Sequence, residues 1–301
     1  MIASYFPEQH TLERLRNQPN SLQGDIEWPN VVVEATYKKF QKYVPESAFS
    51  IFSNNKGKSR MNVHQRTLNV CEQTFYITNP FESFEFEINS NEPVNTFNIH
   101  LNYNFFSEAL SALLNSNEIL LENPDSTHIG YRFTNQLHFK SNALKRLFNT
   151  YNPEDEEVFL IKLLEHCLQL DQQEKNRVRQ IPAAKKSTQK ELLKRMQLAK
   201  DYIYSNYSNA EFNIKELSKL THLSHFHFLR TFSQVFGITP YQYIKAIRIE
   251  RAKYLIKTTN WPIQDIAFAV GFKEASAIYP IFKGRMQKTP QNYRQENSNS
   301  Q

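Results

Sequence analysis

Ile214-Lys-Glu-Leu217 recurs as Ile263-Gln-Asp-Ile266, and Thr239-Pro-x-x-Tyr243 recurs as Thr289-Pro-x-x-Tyr293. The first pair lies 49 residues apart and the second 50. Leu223 and Phe272 keep the shorter offset, Phe232 and Phe282 the longer one, so a single inserted residue after the turn accounts for the drift. A unit of about 50 residues seen twice is a duplicated supersecondary motif, since a solenoid needs at least three copies.

Each copy has the pattern helix, short turn, helix. In the first, Ile214, Leu217 and Leu220 form an apolar stripe and Thr221-His-Leu-Ser supplies the turn. Ser224 is a natural N-cap for a helix carrying Phe226, Phe228, Leu229, Arg230 and Phe232, and Gly237 suits its C-terminal end. In the second, Ile263, Ile266, Ala267 and Val270 pack, Gly271-Phe272 turns, and a helix is expected from Lys273 onward. Pro240 opens an amphipathic helix between the copies, with Tyr243, Ile244, Ile247, Ala252, Leu255 and Ile256 on its apolar face. A link of about 17 helical residues spans ~25 Å, which with lateral offsets sets two recognition helices about one DNA turn (~34 Å) apart.

These residues resemble the AraC/XylS family of bacterial transcription regulators. Ile247-Arg-Ile-Glu-Arg-Ala-Lys-x-Leu-Ile matches the family's linker helix, while Ile266-Ala-x-x-Val-Gly-Phe, Phe282-Lys and Thr289-Pro-x-x-Tyr-Arg294 match its second module. The resemblance covers about residues 190 to 295. It implies that the first recognition helix presents His225, Phe226, Leu229 and Arg230 to DNA, and the second Lys273, Glu274, Ala275, Ser276, Tyr279 and Lys283. Arg230 stands out, because a guanidinium bonds two acceptors on guanine or clamps a phosphate. Two residues depart from the family pattern. Pro280 stands where an arginine is frequent, and Gln287 where glycine is usual. A proline there removes a helical hydrogen bond and clashes with the carbonyl of Ser276, so the second recognition helix is expected to kink or restart near Pro280.

Charge divides the chain the same way. Of 36 Lys+Arg and 30 Asp+Glu, 19 and 8 fall in residues 185–301, a net +11, leaving 17 and 22 before them, a net −5. A +11 domain is the footprint of a polyanion binder, or a solubilising face. Between the halves, Asp171 to Lys190 turns polar, and Thr188-x-x-Glu191 fits a capping box that opens the first helix of the basic domain. The expected division is 1–173, 174–187 as linker, and 188–301.

The acidic two-thirds reads as β-rich over residues 31–139. Val31-Val-Val-Glu-Ala-Thr-Tyr is a β-branched run. Phe84-Glu-Phe-Glu-Ile and Phe97-Asn-Ile-His-Leu alternate strictly, and Tyr131-Arg-Phe-Thr and Leu137-His-Phe form a later pair of short runs. Helices follow: one capped by Ser141, and one from Pro153 with Val158, Ile161, Leu164 and Leu168 on one stripe and Leu160, Leu163, Cys167 and Leu170 beside it. So wide an apolar face suits packing at home on one half and pairing with a second subunit on the other. By position and pattern this region is similar to the cupin-like effector and dimerisation domains of the same family. Phe75, Tyr76, Phe84, Phe86, Phe97 and Tyr131 are core residues or the lining of an effector pocket.

Several function classes find no support. Gly is scarce, at 6 against 13 Pro, which argues against a phosphate-cradling loop. Cys71 and Cys167 form no Cys-x-x-Cys pattern and read as reduced, cytosolic thiols. The start, Met1-Ile-Ala-Ser-Tyr-Phe, has no secretion-signal character, and no apolar run reaches the ~20 residues of a membrane span. Of nine histidines, His225 and His227 form the one His-x-His pair, at i, i+2 where helical side chains diverge. A metal centre needs three or four convergent ligands, so neither metal nor cofactor is expected, and no catalytic set is evident. Phe232, Phe236, Phe268, Phe272 and Phe282 are expected in the core of the basic domain. Lys245, Arg248, Arg251 and Lys253 are surface residues or phosphate contacts.

The sequence therefore predicts an α+β, two-domain chain: a cupin-like β-barrel with C-terminal helices, then an all-α domain of two helix-turn-helix modules joined by a linker helix. It predicts a cytoplasmic, non-enzymatic transcription regulator. Its expected partners are double-stranded DNA, a second copy of itself, a small-molecule effector and RNA polymerase. The alternative is a ligand-binding or protein-interaction module whose second helix-turn-helix has lost base reading, with an enzymatic cupin carrying a DNA arm as a further rival.

Overall fold

Val31–Val44 (β2) is β-branched at its start, and its side chains alternate between buried and exposed over much of its length. It lies antiparallel to Phe84–Leu101 (β7) along nearly the whole of both strands, with Val31 opposite His100 and Val44 opposite Phe84. The computed structural model describes residues 2–3, 30–122, 131–183 and 185–298. The chain divides into two compact units, Met1–Lys175 and Asn176–Gln301.

The first unit is a nearly closed, mainly antiparallel β-barrel with helices against it. A short strand, β1 (Ile2–Ala3), runs parallel to β2. Phe49–Lys56 (β3), Lys58–Val63 (β4), Arg66–Cys71 (β5), Thr74–Thr78 (β6) and Leu137–Phe139 (β8) complete the sheet. Its order is β1-β2-β7-β3-β6-β8, with β4 pairing both β5 and β7. The two alternating runs expected as separate strands are one strand, β7. Its register against β2 jumps between Tyr37/Val94 and Lys39/Asn89, which leaves Ser90–Pro93 opposite Lys38. Pro93 falls in that bulge, where no ladder hydrogen bond asks for the amide it lacks.

The helices are Tyr103–Leu114 (α1), Asn117–Glu122 (α2), Asn142–Asn149 (α3) and Glu156–Asn176 (α4). Ser141 caps α3, accepting from the Leu144 amide at 3.0 Å. Pro153 begins a 3-10 turn that leads into α4. One cluster joins sheet to helices: Phe49, Ile51, Phe75, Ile77, Phe97 and Ile99 meet Phe106, Leu110, Leu160, Leu163 and Leu164. The apolar face of α4 is thus divided differently from the expected stripes. Leu164 and Leu168 lie in the core, whereas Val158 and Ile161 are exposed. The aromatics weighed as pocket lining are packed. Phe84 and Phe86 lie 5.0 and 5.6 Å from the Phe52 ring, and Tyr76 is fully buried.

Residues 131–134, expected as a strand, have no regular structure and are tied to α4 instead. The buried Asp171 carboxylate accepts from the Tyr131 hydroxyl at 2.7 Å and the Thr134 amide at 2.7 Å, and pairs with Lys175 at 2.6 Å. Burial and that carboxylate raise the Tyr131 phenol well above its usual range. A buried charge with several partners is satisfied as an isolated one is not.

The second unit is all-helical: Lys186–Asn206 (α5), Ile214–Leu220 (α6), His225–Phe236 (α7), Pro240–Thr258 (α8), Ile263–Ala269 (α9), Ile278–Met286 (α10) and Pro290–Ser298 (α11). The capping box expected at Thr188–Glu191 is not used. Helix α5 begins three residues earlier, at Lys186, and its N-cap residue Lys185 offers no side-chain cap. A true capping box instead opens α8, between Thr239 and Gln242 ahead of Pro240. Within 174–187, Arg177 donates to the Val235 carbonyl at 3.2 Å, and Ile181 is buried.

His100 is buried, its Nδ1 2.8 Å from Ser50 Oγ, and burial lowers its pKa to about 3. The unfolded chain takes up a proton below its ordinary value of 6.5 while the folded chain does not. Stability should therefore be present above pH 6.5 and fall toward pH 3, at up to about 1.4 kcal/mol per pH unit from this group. Denaturant titrations across this window should show a shallower decline in His100→Gln than in the unaltered protein.

Candidate nucleic-acid interface

In the first module, Asn213 caps α6 through the Lys215 amide at 2.9 Å, and His222 takes a left-handed φ of 50° in the turn. Ser224 caps α7, and Gly237 ends it with φ 75°. Phe228 and Phe232 are fully buried and hold α7 in place. That leaves His225, Phe226 and Arg230 exposed and Leu229 half-buried. Phe226 is 83% exposed, with the His225 ring 5.8 Å away. An exposed aromatic and an exposed arginine on one helix offer apolar contact to thymine methyls together with bonding to guanine or phosphate. Arg195 braces the turn from behind, donating to the Thr221 and His222 carbonyls at 3.3 Å each.

The second module differs. Lys273 to Ser276 do not lie on its recognition helix, as expected from the first copy. Ala275–Ala277 form a 3-10 turn, and α10 starts only at Ile278. The reason is Pro280. In a helix beginning at Ile278 it sits in the first turn, where amides lack intrahelical partners anyway. Lys273, Glu274, Ser276, Tyr279 and Lys283 are exposed, and Ala275 is half-buried. Lys273 Nζ pairs with Glu211 at 2.9 Å, and the Tyr279 hydroxyl accepts from Gln291 at 2.9 Å. Ile278 and Phe282 are the buried anchors. Gln287 keeps the glycine geometry without the glycine, with φ 57° at the end of α10. Phe268, expected in the core, is 48% exposed.

The two modules meet at the carbonyl of Tyr207, just past α5. Arg248, in the middle of α8, donates from Nε to that carbonyl at 2.8 Å and from Nη2 to the Asn209 carbonyl at 3.1 Å. Its guanidinium carbon stands 5.6 Å from the Phe272 ring centroid. Burial lowers its pKa. Arg248 is thus committed to protein carbonyls rather than presented to phosphate. Gly271 approaches the same place with φ +94°, and a Cβ there would stand 2.6 Å from the Tyr207 oxygen. The sequence signals for this junction were present in the Gly271-Phe272 pair and the Arg248 of the linker motif, but not their meeting point. Lys245 lies over the Tyr241 ring, and Lys253 pairs with Glu250 at 2.9 Å.

Residues 217–296 match the helix-turn-helix domain family. The C-terminal domain is an AraC-type helix-turn-helix domain. Over 98 residues the chain is 35% identical to the bifunctional transcriptional activator/DNA repair enzyme AdaA of Bacillus subtilis, covering 33% of this chain and 46% of that one. Over 93 residues it is 32% identical to the melibiose operon regulatory protein of Escherichia coli K12, covering 31% and 30%. The chain thus spans less than half the length of each of these relatives. A solved structure of the C-terminal domain of the response regulator yesN from Fusobacterium nucleatum matches at 33% identity, covering 32% of this chain and 94% of that one, with a TM-score of 0.31. Among the described residues of the AraC-type domain and the barrel, no group of three or more His, Cys, Asp or Glu is placed to hold a metal ion. No described helix is long and apolar enough to cross a membrane.

Two glycine-type positions in the AraC-type domain should respond oppositely to substitution. Gly271→Ala should destabilise the C-terminal domain by at least ~2 kcal/mol, through its positive φ and the Tyr207 carbonyl. Gln287→Gly should raise stability by up to about 1 kcal/mol by relieving a left-handed non-glycine. Chemical denaturation of the full chain reads both.

Proposed function

We propose that this chain is a transcription regulator that binds double-stranded DNA through its AraC-type domain and reads two successive major grooves. The observation that carries this reading is the first recognition helix, where buried Phe228 and Phe232 fix α7 while His225, Phe226 and Arg230 face solvent, with Leu229 at the edge. A second reading edge, Lys273, Glu274, Ala275, Ser276, Tyr279 and Lys283, is supplied by the second module, with all but half-buried Ala275 exposed. The net +11 of residues 185–301 supplies the phosphate attraction. In this reading the chain is not an enzyme and works in the cytoplasm, with RNA polymerase as a downstream partner.

The barrel is proposed as the effector-responsive domain, and α4 as its dimer contact. Exposed Val158 and Ile161 are apolar side chains on a helix whose opposite face is already packed at home. One observation favours a narrower reading, in which the second module grips backbone without reading bases. Lys273 is held by Glu211, and its segment is not part of a helix laid into a groove.

Selection of the full chain against a random duplex pool at moderate salt separates these readings. Two enriched blocks about one helical turn apart are expected if both modules read bases. One block beside a neutral stretch would favour the narrower reading, and no enrichment would remove specific regulation. Arg230→Ala should then cost ~1–3 kcal/mol and relax one base step if it reads guanine. An equal loss on every sequence would mark a phosphate contact instead. Ile161→Glu should shift the protein toward monomer in sedimentation without altering its circular dichroism, if α4 forms the dimer.

A further inference from the structure

We propose that Arg248 is the positioning residue that sets the distance between the two reading elements, and so decides which half-site spacing the protein accepts. This rests on the two-module reading above.

The argument starts from what meets at Tyr207. Helix α5 belongs to the frame of the first module: it packs against α6 and α7, and its Tyr204 hydroxyl lies 2.9 Å from that of Tyr243 on α8. The carbonyls of Tyr207 and Asn209 continue that frame. Arg248 takes both, at 2.8 and 3.1 Å, from the middle of the helix that joins the modules. The turn of the second module closes on the same atom, because Gly271 leaves no room for a Cβ between itself and the Tyr207 oxygen. Phe272, the next residue, is buried and lies beside the Arg248 guanidinium.

A helix alone fixes length but resists twist and bend only modestly. Here the frame of the first module, the linker helix and the turn of the second module meet at one carbonyl: Arg248 ties α8 to that frame with a charge-assisted pair of hydrogen bonds, and the second module cannot swing about α8 without pulling Gly271 off the Tyr207 oxygen and Phe272 off the Arg248 guanidinium. Without Arg248 those two carbonyls lose a bidentate donor, and Phe272 loses the cation beside its ring. The link then has freedom, and a looser tether tolerates more spacings while binding each less well.

The test uses the full chain and duplexes built from the site recovered by selection. The duplexes carry both blocks at the selected spacing, both blocks with one or two base pairs added or removed, or the first-module block alone. The unaltered protein should lose at least ~10-fold in affinity on a one-base-pair change of spacing, as expected for a rigid bidentate reader. Arg248→Met keeps an unbranched stem as far as the Nε position but removes both donors. It should bind the selected spacing ~10-fold more weakly, discriminate among spacings by less than ~3-fold, and bind the single block within ~2-fold of the unaltered protein. Arg248→Lys, which restores charge and one donor, should be intermediate, and it carries the same comparison if the Met variant melts below the assay temperature. Unchanged spacing discrimination in these variants, or an equal loss on the single block and on all spacings, overturns the proposal. If the unaltered protein enriches fewer than two blocks, the two-module reading fails, and this proposal with it.

Discussion

A single backbone oxygen, that of Tyr207, organises the C-terminal domain. It lies where a helix has run out of amides to bond its carbonyls, so it needs a donor from elsewhere. Arg248 supplies it from one side, and Gly271 permits the closest approach from the other. Each choice follows from the last. A partly buried carbonyl calls for a donor, and a guanidinium satisfies two carbonyls at once. The turn that packs beside it can carry no side chain, and must also take a left-handed φ. Duplication of a helix-turn-helix unit yields two modules. This junction makes them one body.

Much of this was legible in the amino-acid sequence because the duplication supplies an internal control. Where the copies agree, as at Leu217 and Ile266 or Phe232 and Phe282, both positions are buried. Where they disagree, reasoning by analogy from the first copy failed. Ser224 caps α7, but the second copy offers no matching cap, and Pro280 moves the start of the helix to Ile278. The expectation that Phe268 lies in the core also failed, since it stands half exposed on a seven-residue helix too short to hide every apolar side chain.

In the barrel, strict alternation located the strands but not their continuity, because Ser90–Pro93 looks like a turn and is a bulge. Asp171 was invisible for a different reason. Its partners Tyr131 and Thr134 lie 40 and 37 residues away, and no local pattern reports so distant a pairing. The exposed apolar face of α4 was legible only as an excess of apolar residues. The sheet had to be seen before Val158 and Ile161 could be separated from Leu164 and Leu168.

The continuity of β7 has one more consequence. This strand of 18 residues bonds β2 along most of its length, β3 near its end and β4 near its beginning. Its amides cannot be released by fraying one neighbour, since other strands hold the rest. Hydrogen exchange along the paired stretches of β7, on either side of the Ser90–Pro93 bulge, therefore has to wait for the barrel to open as a whole, which ties the two ends of the domain into one cooperative unit. A disturbance at one rim of such a barrel is carried to the other by a single uninterrupted stretch of chain.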